Sequence, residues 1–148
     1  MTTARHEAAV LLTADLQEES EQVQALARAL GIPHRAPDPV RLLSRNLLTT
    51  LVHLATVSAS AAAVVDAADP PTRAYLRALA RIEQAQQALL SAGGSMATVL
   101  DQLSAPDSTI TDTAGLAQAG RLRAAALLTS ASAHLGAAAA TLRTAPPG

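Results

Sequence analysis

The sequence predicts an all-α protein, an up-down-up-down antiparallel four-helix bundle with long Ala/Leu-rich helices. Three observations carry this prediction. Nine positions from Tyr75 to Leu103 step along the chain by four and three residues in turn, which describes one face of a long helix packed lengthwise against other helices. Hydrophobic residues make up 49 % of the chain, but there is no Phe or Trp and alanine dominates, and alanine is the best helix former. No run alternates apolar and polar residues as a half-buried strand does.

The first two helices are predicted at about 4–30 and 38–68. A leucine-rich seam with the same spacing runs through the first, and Gly31 and Pro33 follow it, as is typical of a helix C-terminus. The second begins with Asp38 as N-cap and Pro39 in the first helical position, both favoured at helix N-termini.

The third and fourth helices are predicted at about 71–104 and 112–143. The short turn Asp69-Pro70-Pro71 makes the second and third helices an antiparallel hairpin, and Asp112 caps the fourth. Each helix is roughly 40–50 Å long at 1.5 Å per residue. Helices of similar length joined by short connections favour one four-helix-bundle domain over residues 1–148.

Composition limits the partners and the compartment. The net charge is −1 and there is no cysteine. These values argue against nucleic acid as the main partner and fit a cytoplasmic protein without disulfides or thiolate metal sites. We expect no cofactor. Residues 46–65 and 124–142 contain no Asp, Glu, Lys or Arg, but they are filled with Ala, Ser and Thr, so we expect buried bundle helices and no membrane span.

Two acid–histidine pairs are predicted from depth along the bundle. Measured from the end that holds the connection between the first two helices, Glu19 lies at about 16 Å and His53 at about 22 Å, whereas Glu83 lies at about 31 Å and His134 at about 33 Å. Three interpretations stay open for each pair. It is tuned for proton transfer or is half of a metal site, it sets the register of an Ala/Leu core, or its members face water.

Two segments resemble parts of a known metal-binding family. Residues 51–55, around His53, resemble the helix 2 segment of the DinB-like, metal-dependent four-helix hydrolases and thiol transferases. The segment from His134 to Arg143 resembles the end of their helix 4 segment. This resemblance implies a metal-dependent enzyme with His53 and His134 as metal ligands. Ser130 stands where that family has a further histidine, and the turn at 69–71 is shorter than the family's crossover.

The leading hypothesis is a non-catalytic bundle that works through protein–protein contacts, as an adaptor, a regulator or an assembly subunit. Long apolar seams can continue across a subunit interface, so a protein partner or a homo-oligomer is expected. A secreted helical partner protein is a further alternative, although the W-x-G turn of such proteins is replaced here by Asp69-Pro70-Pro71.

Two features are candidate partner-binding sites. Arginines from the first two helices and their connection gather at one end of the bundle, and a glycine pair in the third helix leaves room for a close neighbour. The candidates are Arg28, Arg35, Arg41, Arg45, Gly93 and Gly94.

Overall fold

A computed structural model describes residues 2–31, 37–67, 73–104 and 112–144, with side chains described for 7–31, 41–64, 73–102 and 117–144. These residues form four α-helices and include no strand. The helices are α1 (Thr2–Gly31), α2 (Pro37–Ala67), α3 (Arg73–Ser104) and α4 (Asp112–Thr144). Every helix boundary lies within two residues of the predicted one. The predicted connections, including Arg35 and the turn at 69–71, lie outside the described residues.

The helices form a ring in which each packs against the next, α1 on α2, α2 on α3, α3 on α4 and α4 on α1. Across the described parts of the chain, the two diagonal pairs do not pack. Two contacts show that α3 and α4 are antiparallel. Arg81, early in α3, contacts His134, late in α4, whereas Val99, late in α3, lies beside Gly120, early in α4. The predicted four-helix bundle is confirmed.

Helix α4 is the most closely packed member of the ring, and α2 is the least. Small side chains explain the difference, because helices lined with alanine approach each other closely. Every seventh residue of α4 is a buried alanine: Ala117, Ala124, Ala131 and Ala138. The buried residues of α3 at the same spacing are Ala78, Ala85, Ala92 and Val99. Since Val99 lies beside Gly120, this α3 stripe faces α4.

The predicted seams of α1 and α4 are buried at every position. They are Leu12, Leu16, Glu19, Val23, Leu26 and Leu30 in α1, and Leu128, Ser132, Leu135, Ala139 and Leu142 in α4. The seam predicted in α3 is only partly right. Ile82, Leu89 and Met96 are fully buried, but Gln86 and Gly93 between them are half-buried. Helix α3 packs on both α2 and α4, so its buried face is wider than a single seam and includes the alanine stripe.

The glycine pair of α3 is not where the helices of this chain approach most closely. A Cβ atom at Gly93 would meet only Leu51 Cδ1, at an ordinary contact distance of 3.9 Å, and one at Gly94 would meet nothing within 4 Å. A Cβ atom at Gly120 would lie 2.7 Å from Val99 Cγ2, which is closer than the two atoms can approach. The glycine that close packing requires is therefore Gly120.

Two helices are long and apolar enough, by length and composition alone, to cross a membrane: Arg41–Val64 and Ala117–Thr144. The core helix of a soluble protein passes the same test. The two differ in burial, since 39 % of the apolar window is buried in α4 and only 22 % in α2. Helix α2 therefore exposes a larger share of its apolar window than α4 does.

The same substitution at two glycines is expected to have opposite effects. Gly94→Ala should raise the free energy of unfolding by about 0.5–1 kcal/mol, because alanine favours the helix and meets no neighbour. Gly120→Ala gains the same helical preference but overlaps Val99, and overpacking costs about 1–3 kcal/mol. Urea denaturation of both variants measures the difference. A Gly120→Ala protein as stable as Gly94→Ala would show that α3 and α4 are not in close contact there.

Candidate functional site

The most unusual side chain of the core is a carboxylate. Glu19 occupies a seam position in the middle of α1, between Leu16 and Val23 in the heptad pattern, and its side chain is fully buried, with 0 % exposure. The seam spacing leaves this position no access to the outer surface of α1. A buried carboxylate is costly unless other groups bond it, so its partners decide what it does.

His53 of α2 is the partner of Glu19. The Nδ1 atom of the ring forms a hydrogen bond with Glu19 Oε2, so the pair predicted from depth along the bundle does share a layer. The His53 side chain is 54 % exposed, and the ring therefore lies at the surface above a carboxylate that water does not reach. The other carboxylate oxygen, Oε1, has no hydrogen-bond partner among the described residues.

A reciprocal serine pair lies beside Glu19 and joins α1 to α4. Ser20 Oγ donates to the Ser132 carbonyl at 2.9 Å, and Ser132 Oγ donates to the Ser20 carbonyl at 2.8 Å. The two hydroxyl oxygens are 3.1 Å apart, and both side chains are buried. Gly136 lies on the next turn of α4, where an added Cβ would be 3.6 Å from Ser20 Oγ. Together with Glu19 and His53, the serines form one polar layer that spans α2, α1 and α4.

This polar layer contains half of a proton-transfer arrangement. A carboxylate that holds an imidazole through Nδ1 fixes the orientation of the ring. Catalysis also requires a nucleophile or a substrate within reach of the ring, and Glu19 is the only side chain found bonded to the His53 ring among the described residues. In the same residues no group of three or more His, Cys, Asp or Glu side chains is arranged to hold a metal ion.

The second predicted pair has a different partner. Arg81 Nη1 donates to His134 Nδ1 at 3.1 Å, and Glu83 is exposed. The depth estimate was therefore right to within two residues, but two residues turn a helix by about 200°, so Arg81 faces α4 and Glu83 does not. His53 lies on α2 and bonds Glu19, whereas His134 lies on α4 and bonds Arg81. In the described residues, α2 and α4 do not pack against each other. A metal site that uses both histidines remains a prediction.

The predicted partner-binding residues are spread over two parts of the bundle. Arg28, Arg41 and Arg45 have exposed side chains near one end of α1 and α2. In α3, Gly94 is exposed and Gly93 is half-buried under Leu51 of α2. Whether these residues bind a partner remains a prediction.

Two features of the core escaped prediction. Ser20 lies on a second seam of α1, next to the leucine seam, and faces α4. Arg121 is buried in α4, four residues after Ala117 and three before Ala124. Both positions follow a heptad spacing. The prediction relied on large apolar residues, so it missed the stripes of small and polar residues beside them.

Removing the histidine should destabilise the fold through the buried acid. His53→Ala leaves the Glu19 carboxylate without its partner, and an unsatisfied buried polar group costs about 1–3 kcal/mol. Glu19→Leu continues the leucine seam and should be neutral or stabilising. In the Glu19→Leu background, His53→Ala should cost less than about 0.5 kcal/mol. Denaturant unfolding of the two single variants and the double variant measures the coupling.

His134→Ala is the matched control, because it removes an imidazole whose partner Arg81 is exposed. Exposed pairs contribute about 0–1 kcal/mol. An equal loss from His53→Ala with and without Glu19 would contradict a role for the ring in satisfying the carboxylate.

The comparisons with known proteins give no match: no protein-family model matches the chain, and no curated protein or solved structure is significantly similar to it.

Proposed function

We propose that this chain is a non-catalytic protein of the cytoplasm that acts through protein–protein contacts, as an adaptor, a regulator or an assembly subunit. Its contact surface is the outer face of α2. One observation carries the proposal. Leu48 is 58 % exposed and Val52 is 70 % exposed, within a stretch of α2 that has no Asp, Glu, Lys or Arg from residue 46 to 65.

Helix α2 has a heptad seam on each side. The inner side is buried through Leu47, Leu54, Val57 and Ala61. The outer side repeats the heptad spacing, and we call it the outer seam. Its members are Arg41, Arg45, Leu48, Val52, Ala55, Ala59 and Ala62. All are exposed except Ala62, which is half-buried. Apolar residues at this spacing are typical of a helix that packs lengthwise against another helix.

Two threonines beside the outer seam bond within their own helix. Thr49 Oγ1 donates to the Arg45 carbonyl at 3.1 Å, and Thr56 Oγ1 donates to the Val52 carbonyl at 3.4 Å. A threonine hydroxyl that bonds the preceding turn of its helix competes less for water. The surface around Leu48 and Val52 therefore loses little hydration when another protein covers it.

Two exposed leucines of the other helices lie next to arginines in the sequence. Leu76 lies between Arg73 and Arg77 along α3, and Leu122 lies between Arg121 and Arg123 in α4. Scattered exposed leucines are normal on soluble proteins, whereas a contiguous apolar patch marks an interaction site. Helix α1 also exposes Val10 and Leu11, between Glu7 and Asp15, and α3 exposes Leu90 within the uncharged residues 84–100. Among the described residues, α2 alone carries two exposed large apolar side chains on one heptad seam within an uncharged stretch.

A photo-crosslinking amino acid at position 52 tests the proposal in cells of the source organism. We expect it to form covalent protein adducts much more efficiently than the same group at position 122, because position 52 lies in the contact surface. Denaturing electrophoresis and mass spectrometry of the purified chain measure the adducts. Equal yields at positions 52 and 122 would contradict a role for the α2 surface in protein contacts.

A further inference from the structure

We propose that the outer seam of α2 binds the outer seam of a second copy of this chain, with the two α2 helices antiparallel about a two-fold axis between residues 53 and 54. This inference rests on the proposed function and names the partner. It depends on three properties of the seam, namely its spacing, the sizes of its side chains and the distribution of its charge.

The spacing of the seam is the same in both directions. From residue 45 to residue 62 the steps are three, four, three, four and three, so an antiparallel copy places each seam residue opposite another seam residue. A two-fold interface requires such self-complementarity, since the same patch serves both subunits. In this register the numbers of facing residues add up to 107. Leu48 faces Ala59, and Val52 faces Ala55.

The side chains on the seam are complementary in size in this register. The large residues, Leu48 and Val52, lie in its first half, and Ala55 and Ala59 lie in its second half. Antiparallel packing places each large side chain against a small one, as close packing of two helices requires. A parallel arrangement would place Leu48 against Leu48 and Ala59 against Ala59, which crowds one end of the interface and leaves a gap at the other.

The charges on the seam also favour the antiparallel arrangement. Arg41 and Arg45 begin the seam, and residues 46–65 contain no Asp, Glu, Lys or Arg. Parallel helices would gather four arginines at one end, and such like-charge contacts are unfavourable. Antiparallel helices place the two arginine pairs at opposite ends of the interface. The opposed helix dipoles add to this preference.

The size of the contact predicts how tightly the copies bind. Residues 41–66 of α2 span about 38 Å, and a helix is about 10 Å wide, so each copy buries a strip of about 400 Å². The total of about 800 Å² is below the range of about 1,200–2,000 Å² for stable complexes. We therefore expect a weak dimer, whose population rises between low micromolar and millimolar concentration.

Sedimentation equilibrium of the purified full chain over this concentration range is the first test. The average mass should rise from the chain mass of 15.1 kDa toward twice that value. Val52→Arg should weaken the association at least tenfold, because it places two like charges near the two-fold axis. Leu122→Arg is the matched control for an exposed apolar residue outside the seam, and it should leave the association unchanged. Circular dichroism confirms that each variant is folded.

Disulfide trapping tests the register, and the absence of natural cysteine makes it unambiguous. A mixture of the Leu48→Cys and Ala59→Cys proteins should form a mixed disulfide dimer under mild oxidation. Leu48→Cys alone should not, because its two sulfur atoms would be about 16 Å apart along the axis. A disulfide dimer of Leu48→Cys alone, formed as readily as the mixed dimer, would overturn the antiparallel register.

Two results would overturn the second copy as partner. One is a chain that stays monomeric up to millimolar concentration, and the other is a monomer that binds vesicles of neutral phospholipid through Val52. The crosslinking experiment tests the proposed function independently of the homodimer. If position 52 forms adducts only with a different protein, the contact surface stands and the homodimer does not. If position 52 forms no more adducts than position 122, both fail.

Discussion

The close packing of α4 against α1 and α3 is the interaction on which the rest of the structure depends. Alanine buries little surface, so each alanine contributes little hydrophobic free energy. Stability must come instead from close approach, which brings many atoms of both helices within van der Waals distance. The alanine stripe of α4 from Ala117 to Ala138 permits that approach. At Gly120, α3 and α4 are so close that no space remains for a Cβ atom.

Packing by alanine leaves the register of the helices weakly specified, because one turn of an alanine stripe resembles the next. The polar layer supplies the missing information. Ser20 and Ser132 bond each other's carbonyls only when α1 and α4 have this offset, and Glu19 meets His53 only at one offset of α1 against α2. Buried polar residues set register in coiled coils by the same principle. We infer that Glu19 contributes register specificity rather than stability, since its replacement by leucine is expected to be neutral or stabilising.

The extent to which the sequence predicts this protein depends on the size of the side chains that carry each feature. Leucine seams located α1 and α4 correctly, because leucine at heptad spacing has few alternatives to burial. The α4-facing stripe of α3 was missed because Ala78, Ala85 and Ala92 are found on any face of a helix. Depth along the axis predicted the pair of Glu19 and His53. It failed for Glu83, because depth carries no information about the direction in which a side chain leaves its helix.

Helix α2 does not pack mainly through alanine as α4 does, and this difference bears on the proposed contact. Its inner seam is lined by Leu47, Leu54 and Val57, and its packing on α1 and α3 is the least extensive in the ring. Its outer seam is apolar as well, which is typical of a helix covered on both sides. A ring of four helices covers only one of these sides. Two rings joined through α2 would place both copies of this helix in the interior. Since such a dimer binds only the folded chain, it would stabilise the fold in proportion to the logarithm of the protein concentration. The helix with the least support inside its own bundle would then be held by its partner.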